Sequence, residues 1–249
     1  MKILLSPSKT LSKNNTIQGQ QLPIFAKEAL IIHKEIMSLN HKQIETFYGV
    51  SEKLANQVFD IVRSNQQGAA IGFYQGEVFK HLHANTWSLS MQRNARESLR
   101  VLSAMYGLLH PYDLIHPYRL DFVTDFKSLG LPSSYNYWSS KVTDFFLAQL
   151  KPNELIFNLA SKEFSTVFNK HQINQVGHWV DVDFLSNKNG TSKIITMTAK
   201  KARGLFTRLL LEHPIDKIEH IYQINEFDKF TLDLKESKPN HLRYVTYNK

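Results

Sequence analysis

Two prolines interrupt the apolar and aromatic segment Val101–Phe122, and this segment limits the fold more than any other part of the chain. Apolar residues from Val101 to Leu109 recur at helical intervals, so the sequence predicts a helix there. Pro111 and Pro117 fix φ and remove backbone donors. We therefore expect the regular element to end before them and a rigid loop to follow.

The predicted loop is rich in polar and aromatic side chains, whereas ordinary connectors are rich in glycine, serine and asparagine. It contains Tyr112, Asp113, His116, Tyr118, Arg119 and Asp121. Two interpretations are open at this point. Arg119 either pairs with Asp113 or Asp121 as a structural plug, or it presents its planar fork of donors to a phosphate or carboxylate.

Length and composition predict one folded domain over residues 1–249. The chain is 42% apolar and 21% charged, which is typical of globular proteins, and it contains no repeat and no low-complexity linker. It has no cysteine, which excludes disulfides, thiol nucleophiles and thiolate metal sites. No apolar run approaches the roughly 18 residues of a membrane span. We expect a cytoplasmic protein that does not bind membranes.

The charge balance predicts an affinity for polyanions. Lysine and arginine number 30 against 22 aspartates and glutamates, which gives a net charge of +8 and an isoelectric point near 9.4. Nucleic acid is therefore the first partner to consider, although many basic proteins do not bind it.

The segment His41–Val62 predicts two short helices joined by the turn Gly49-Val50-Ser51. This pattern is similar to a helix-hairpin-helix motif, in which free backbone amides and a helix N-terminus hold a DNA phosphate. Gly49, Val50, Ser51 and Lys53 are the candidate DNA-binding residues. A helix-turn-helix packing unit without DNA contact explains the same residues nearly as well.

Polar residues follow two predicted strands. Ser6, Lys9 and Thr10 come after Lys2–Leu5, where Pro7 and the lack of glycine exclude a phosphate-binding loop of the usual kind. Asn158, Ser161 and Glu163 lie at or just beyond the end of the strand Leu155–Leu159. Ligands of open α/β sheets bind at such carboxyl ends, but Ser161 is equally suited to cap a helix.

The densest group of positive charges, Lys200, Lys201 and Arg203, lies at a predicted strand-to-helix junction. A solvated helix face is the usual meaning of such a run, but the junction favours an anion site. We expect these residues to share one cleft, and one anion, with Arg119. The full set of cleft candidates is Ser6, Lys9, Thr10, Tyr118, Arg119, Asn158, Ser161, Glu163, Lys200, Lys201 and Arg203.

Together these patterns predict the α+β fold class. We expect a single compact α/β domain with a mixed sheet, surrounding helices and a basic cleft. Ala69–Leu82 predicts a strand or a hairpin. His81 and His83 could form half of a metal site, but no third ligand stands at convincing spacing. We therefore predict neither a metal site nor a cofactor.

Four sequence blocks together resemble the YaaA family of bacterial peroxide stress resistance proteins. They are Ser6-Pro7-Ser8-Lys9-Thr10, Tyr106-Gly107-Leu108-Leu109 with Pro117-Tyr118-Arg119-Leu120, Asn158-Leu159-Ala160-Ser161, and Ala199-Lys200-Lys201-Ala202-Arg203-Gly204. Ser8 replaces the family's usual alanine, and Asp121-Phe122 replaces a common Glu-Met. The resemblance implies a compact α/β domain with a positive cleft, a helix-hairpin-helix segment at residues 41–62, duplex DNA binding, and a role in limiting iron-driven oxidative damage.

Two functions follow as hypotheses. The first is sequence-independent binding of duplex DNA in the peroxide stress response. The second is an enzyme that acts on a nucleotide or another phosphate-bearing small molecule in the cleft, for which spacing alone assigns no catalytic residue. An iron-sequestering protein has the least support, because the chain lacks an evident ligand set.

Overall fold

The structure is a computed structural model that describes residues 1–12 and 14–247. Its strands are β1 (Lys2–Leu5), β2 (Gly68–Ala69), β3 (Leu99–Ser103), β4 (Gly107–Leu109), β5 (Leu114–Ile115), β6 (Leu155–Asn158), β7 (His178–Lys188), β8 (Thr191–Lys193), β9 (Glu226–Phe227), β10 (Phe230–Leu232) and β11 (His241–Tyr247).

The helices alternate with these strands along much of the chain. They are α1 (Ala26–Ser38), α2 (His41–Tyr48), α3 (Glu52–Val62), α4 (Ala70–Phe73), α5 (Glu77–Leu82), α6 (Leu89–Ser98), α7 (Ser134–Ala148), α8 (Lys162–Ser165), α9 (Lys170–Ile173) and α10 (Thr196–Glu212). Short 3-10 helices span Ala84–Thr86, Phe126–Leu129 and Ile218–Gln223. Within the described residues, no helix has the length and apolar character that crossing a membrane requires.

Within the described residues, the strands form one nine-stranded mixed sheet and one small two-stranded sheet. The large sheet has the order β4-β3-β1-β6-β7-β11-β10-β9, with β8 paired to β7. Strands β3, β1, β6, β7 and β11 are parallel, whereas β4, β8, β9 and β10 are antiparallel to their neighbours. Parallel strands with helices between them make this a single α/β domain. The predicted single domain with a mixed sheet is therefore confirmed. The predicted α+β class is not, because the centre of the sheet is parallel.

Helices cover both faces of the parallel strands. Phe206 of α10 packs against Phe157 of β6 and Phe184 of β7, with ring centroids 6.4 and 5.7 Å apart. On the other face, Trp179 of β7 contacts Phe168, between α8 and α9, at 5.8 Å. Because helices cover both faces, β1 and β6 are buried over most of their length, and strands buried in this way consist mostly of apolar residues.

The prediction of a helix from Val101 to Leu109 is wrong. Residues 99–103 form β3 and residues 107–109 form β4, and every side chain of both strands is buried. A continuous apolar run fits a buried helix and a strand covered on both faces equally well, so periodicity could not separate them. Strand β4 does end before Pro111, as predicted, although the predicted loop contains the two-residue strand β5.

The prediction of strand or hairpin structure over Ala69–Leu82 is also wrong, apart from Ala69, the last residue of β2. Most of the segment forms α4 and α5. A Cβ added to Gly76 would lie 2.5 Å from Ser8 Oγ, so this glycine allows the start of α5 to approach the loop after β1 closely. Packing of α5 on this loop and on α10 therefore outweighed the local β preference.

Candidate functional site

The crevice between the carboxyl ends of β1 and β6 is the point at which the chain leaves the sheet in opposite directions. From β1 the chain passes to β3 on one side, and from β6 it passes to β7 on the other. Open α/β sheets bind ligands at such a point because the diverging loops leave a depression. The candidate site of this protein is therefore centred there.

Two predicted site residues meet directly in this crevice. Ser6 follows β1, and Ser161 precedes α8 after β6. The backbone N–H of Ser161 donates to Ser6 Oγ at 2.9 Å, and the two hydroxyl oxygens lie 3.3 Å apart. The Ser161 side chain does not cap α8. Its hydroxyl instead joins the two loops across 155 residues of sequence.

A small cavity of about 30 Å³, lined in part by Pro7 and Ser8 of the loop after β1, has room for roughly one or two water molecules. The Nζ atom of Lys9 lies 2.6 Å from Asp121 Oδ2 in its wall. The lining residues are Pro7, Ser8, Lys9, Tyr118, Arg119, Leu120, Asp121 and Phe164.

Arg119 lines the cavity without a partner of its own. Among the described residues it makes no hydrogen bond and no ion pair, and its side chain is half-buried. Asp121 pairs with Lys9. The structural plug, in which Arg119 pairs with Asp113 or Asp121, is therefore wrong, and the guanidinium fork is free to bind an anion.

Asp113 has a separate structural role. Gln21 Nε2 donates to its Oδ1 at 2.8 Å, and the backbone N–H of His110 donates to its Oδ2 at 2.9 Å. Burial raises the pKa of the Asp113 carboxyl to about 6, although these hydrogen bonds oppose the shift. Asp113 thus ties the 110–113 turn to the segment before α1.

Glu163 is the acidic group of the site with an unsatisfied atom. Its Oε1 is buried and has no hydrogen-bond partner among the described residues. Burial raises the pKa of the Glu163 carboxyl, the nearby Asp121 raises it further, and Lys9 opposes the shift. A carboxyl that holds its proton more strongly than usual can act as a proton donor, so Glu163 is the clearest acid–base candidate here.

Three tyrosines surround the Arg119 loop. The hydroxyls of Tyr74 and Tyr118 lie 2.8 Å apart, and burial raises the pKa of both. The buried hydroxyl of Tyr48, the last residue of α2, has no partner among the described residues. Burial raises the pKa of Tyr48, as does Asp121, whereas Arg119 opposes the shift. The end of α2 therefore lies within electrostatic reach of the Arg119 loop.

Sequence alone does not reveal the roles of Tyr48 and Tyr74. Nothing in the sequence signals that either hydroxyl is buried. A tyrosine at the end of an amphipathic helix is ordinarily packed by its ring alone, with its hydroxyl in water.

The basic segment lies inside α10 rather than at its start. Lys201 Nζ pairs with Asp228 Oδ2 at 3.0 Å, and Lys200 is exposed. Arg203 Nε is buried and has no hydrogen-bond partner in the described part of the chain. Burial lowers the pKa of its guanidinium, and Asp183 opposes this shift. No hydrogen bond or ion pair within residues 1–12 and 14–247 joins Arg119 to these three residues. Their sharing of one anion stays a prediction.

The two other predicted cleft residues, Asn158 and Thr10, take part in local hydrogen bonds. Asn158 Nδ2 donates to Asp181 Oδ1 at 2.8 Å, and its Oδ1 accepts from the backbone N–H of Ala160 at 3.1 Å. Thr10 is exposed, and its backbone N–H and carbonyl both bond to Ser8 Oγ. Asn158 therefore fixes the loop that presents Ser161, and the side chain of Thr10 remains open to solvent.

The turn Gly49-Val50-Ser51 joins two short helices, α2 and α3, as the sequence predicts. Gly49 adopts a left-handed conformation with φ of 58°, and no atom lies within 4 Å of an added Cβ. Ser51 precedes α3 without a side-chain capping bond. The backbone N–H groups of Ser51, Glu52 and Lys53 have no acceptor among the described residues, because the first bonds of α3 start at Leu54. Three adjacent donors without a described acceptor therefore lie at a tip whose residues are exposed.

The histidine pair does not form part of a metal cluster. The rings of His81 and His83 have centroids 6.4 Å apart, and His81 lies in α5 beside Glu77. Across the described part of the chain, no three histidine, aspartate or glutamate side chains are grouped as metal ligands would be.

Comparison with known proteins identifies the family. The profile of a family described as peroxide stress protein YaaA matches residues 1–236. The chain belongs to this family. A UPF0246 protein of Francisella philomiragia is 37% identical over 254 residues, covering 94% of this chain and 96% of that protein. Another UPF0246 protein, from Crocosphaera subtropica, is 33% identical and covers 90% and 92%. Membership supports a role in peroxide stress.

Proposed function

We propose that this protein binds duplex DNA without sequence preference, in the cytoplasm, as part of the response to peroxide, and thereby limits iron-driven damage. The observation that carries the proposal is the set of free N–H groups of Ser51, Glu52 and Lys53 at the exposed α2–α3 tip. Free amides at a helix N-terminus bind phosphate through hydrogen bonds and the helix dipole. Together with the net charge of +8, they favour a polyanion over an isolated phosphate.

The proposed interface continues from this tip into the crevice. Tyr48 lies between the α2–α3 turn and the loop of Arg119 and Asp121, so a duplex at the tip would approach Lys9 and Arg119. We assign α2–α3 as a helix-hairpin-helix module and the crevice as its basic cleft. Backbone and lysine contacts to phosphates carry no base information, which accounts for the absence of sequence preference.

Replacing Ser51 by glutamate tests the module. The added carboxylate would repel a phosphate at the free amides, so we expect about fivefold weaker binding to several unrelated duplexes. The slope of log affinity against log salt should flatten by about 0.9 for one lost phosphate contact. Fluorescence anisotropy at four salt concentrations measures both quantities.

Ser140→Glu is the matched control, because Ser140 is exposed in the middle of α7 and the change adds the same charge. Its affinity should stay close to that of the unmodified protein. Equal weakening in both variants, or an affinity that does not change with salt, would refute the hairpin as a phosphate site.

A second candidate function is an enzyme that acts on a nucleotide or another phosphate-bearing small molecule. Two observations favour it: Arg119 lines the cavity without a described partner, and the buried Oε1 of Glu163, the residue before the cavity-lining Phe164, has no described hydrogen-bond partner. Binding of duplex DNA by itself does not need a carboxyl with a raised pKa. Arg119 would hold the phosphate and Glu163 would exchange a proton with the reacting group.

The pH dependence of phosphate binding tests this second function. Because the pKa of Glu163 is raised, the carboxyl gains its proton as pH falls towards that pKa, and the negative charge near the phosphate disappears. Affinity for nucleoside monophosphates should therefore rise about fivefold on acidification, and Glu163→Gln should bind with the higher affinity at all pH values. Calorimetric titrations that show the same pH profile in both proteins would exclude Glu163 from the site.

A further inference from the structure

The segment from Lys188 to Met197, here called the arm, exposes apolar side chains next to lysines. It comprises the Asn189-Gly190 turn, β8, and the start of α10. Both turn residues have positive φ, 51° and 80°, which suits a tight two-residue hairpin turn. Ile194 is 54% exposed and Met197 is 57% exposed. Monomeric proteins seldom group large apolar residues in solvent without a partner for them.

The charged residues within the arm, Lys188 and Lys193, are both positive. Between Asp183 and Glu212 the sequence has no acidic residue. Lys188 and Lys193 are exposed and form no ion pair with a described residue, whereas Lys200, just beyond the arm, lies within electrostatic reach of Glu77. Met197 and Lys200 lie one turn apart on α10 and therefore share a helix face. The arm thus combines apolar contact area with unneutralised positive charge.

The sheet places the arm on the same edge as the crevice. The register pairs Asp181 of β7 with Asn158, the last residue of β6, and β7 then continues for seven more residues to Lys188. At about 3.3 Å per residue the arm extends about 20 Å beyond the end of β6. The crevice with Lys9 and Arg119 opens at that same carboxyl edge, so one elongated ligand can reach both.

We propose that the arm is a second contact surface for duplex DNA, in which Ile194 and Met197 pack against sugars and base edges while Lys188 and Lys193 pair with phosphates. This inference rests on the proposed DNA binding and adds a contact to it. Proteins that bind the duplex commonly insert apolar side chains from β structure or arms that are flanked by basic residues. An acidic protein partner would pair with the lysines but would gain nothing from the shared edge with the crevice.

A double variant, Ile194→Ser with Met197→Ser, tests the apolar part of the contact. We expect about tenfold weaker binding to duplex DNA because apolar burial is lost. The slope of log affinity against log salt should not change, because no phosphate contact is removed.

The double variant Lys188→Gln with Lys193→Gln should instead flatten this slope by about 1.8. The matched control is Leu30→Ser with Ile31→Ser, which removes two apolar side chains that are 51% and 48% exposed on α1 and should leave the affinity unchanged.

The outcomes separate the arm from the rest of the proposed function. If Ser51→Glu weakens binding and Ile194→Ser with Met197→Ser does not, the arm is excluded and the hairpin site stands. If the arm variant alone weakens binding, the arm stands without the hairpin. If the unmodified protein does not bind duplex DNA, both proposals are wrong.

Loss of binding to vesicles of phosphatidylcholine and phosphatidylserine in the arm variant, with unchanged DNA affinity, would assign the surface to anionic lipid and overturn the proposal. Equal weakening in the α1 control would overturn it as well.

Discussion

Replacing Gly107 by alanine should lower the free energy of unfolding by about 3 kcal/mol, because a side chain there is strained and also overlaps a buried ring. Gly107 has φ of 69°, and an added Cβ would lie 2.6 Å from Trp138 Cε3. Trp138 is completely buried, and its Nε1–H donates to the Ala104 carbonyl at 2.7 Å. The ring therefore cannot shift without losing this hydrogen bond. Urea unfolding followed by tryptophan fluorescence measures the loss.

Gly130→Ala separates the steric part of this effect from the backbone part. Gly130 also has positive φ, 73°, but no atom lies within 4 Å of an added Cβ. We expect a loss of about 1 kcal/mol there. Equal losses at the two glycines would mean that Trp138 moves aside freely, in contradiction to its packing.

The Gly107 turn also affects the candidate site through its neighbours. The hydroxyl of Ser103, at the end of β3, accepts hydrogen bonds from the backbone N–H groups of Met105 and Tyr106. The hydroxyl of Tyr106 in turn accepts from the backbone N–H of His116 at 3.1 Å, in the loop that leads to Arg119. Partial unfolding of this turn should therefore weaken DNA binding together with stability.

Arg119→Lys is the second change with a large expected effect: about 30-fold weaker binding to duplex DNA at fixed salt. Arg119 has no described partner and lines the cavity, so its planar fork can donate two parallel hydrogen bonds to one phosphate. Lysine keeps the charge but donates from a single flexible nitrogen. Arg119→Gln should therefore bind only slightly less tightly than Arg119→Lys. Anisotropy titrations of both variants make the comparison.

Arg93→Lys is the control for this experiment, because Arg93 is exposed on α6 and makes no ion pair with a described residue. It should bind DNA as the unmodified protein does. If lysine at position 119 restored full affinity, Arg119 would contribute charge only, and the proposed bidentate contact would be wrong. The same variants, expressed in bacteria that lack their own family member, should differ in survival after peroxide in the same order.

The sequence by itself determined the elements whose periodicity is unambiguous. The two helices on either side of Gly49, for example, follow the predicted pattern. In each, apolar residues recur on one face while the other face stays polar, so the pattern excludes a strand. The motif blocks, such as Ser6 to Thr10, also sufficed to indicate the family.

Only the tertiary structure decided the segments that are buried on all sides and the partners within the site. Val101 lies in a strand because β1 and β4 flank it and helices cover it, which no local pattern reveals. Ser6 meets Ser161, and Lys9 pairs with Asp121, across more than a hundred residues of sequence. Arg119 consequently remains free, although two carboxylates lie close to it in the chain. Local preference acts over a few residues, whereas burial and charge pairing depend on which distant segments pack together, and the sheet order sets that packing.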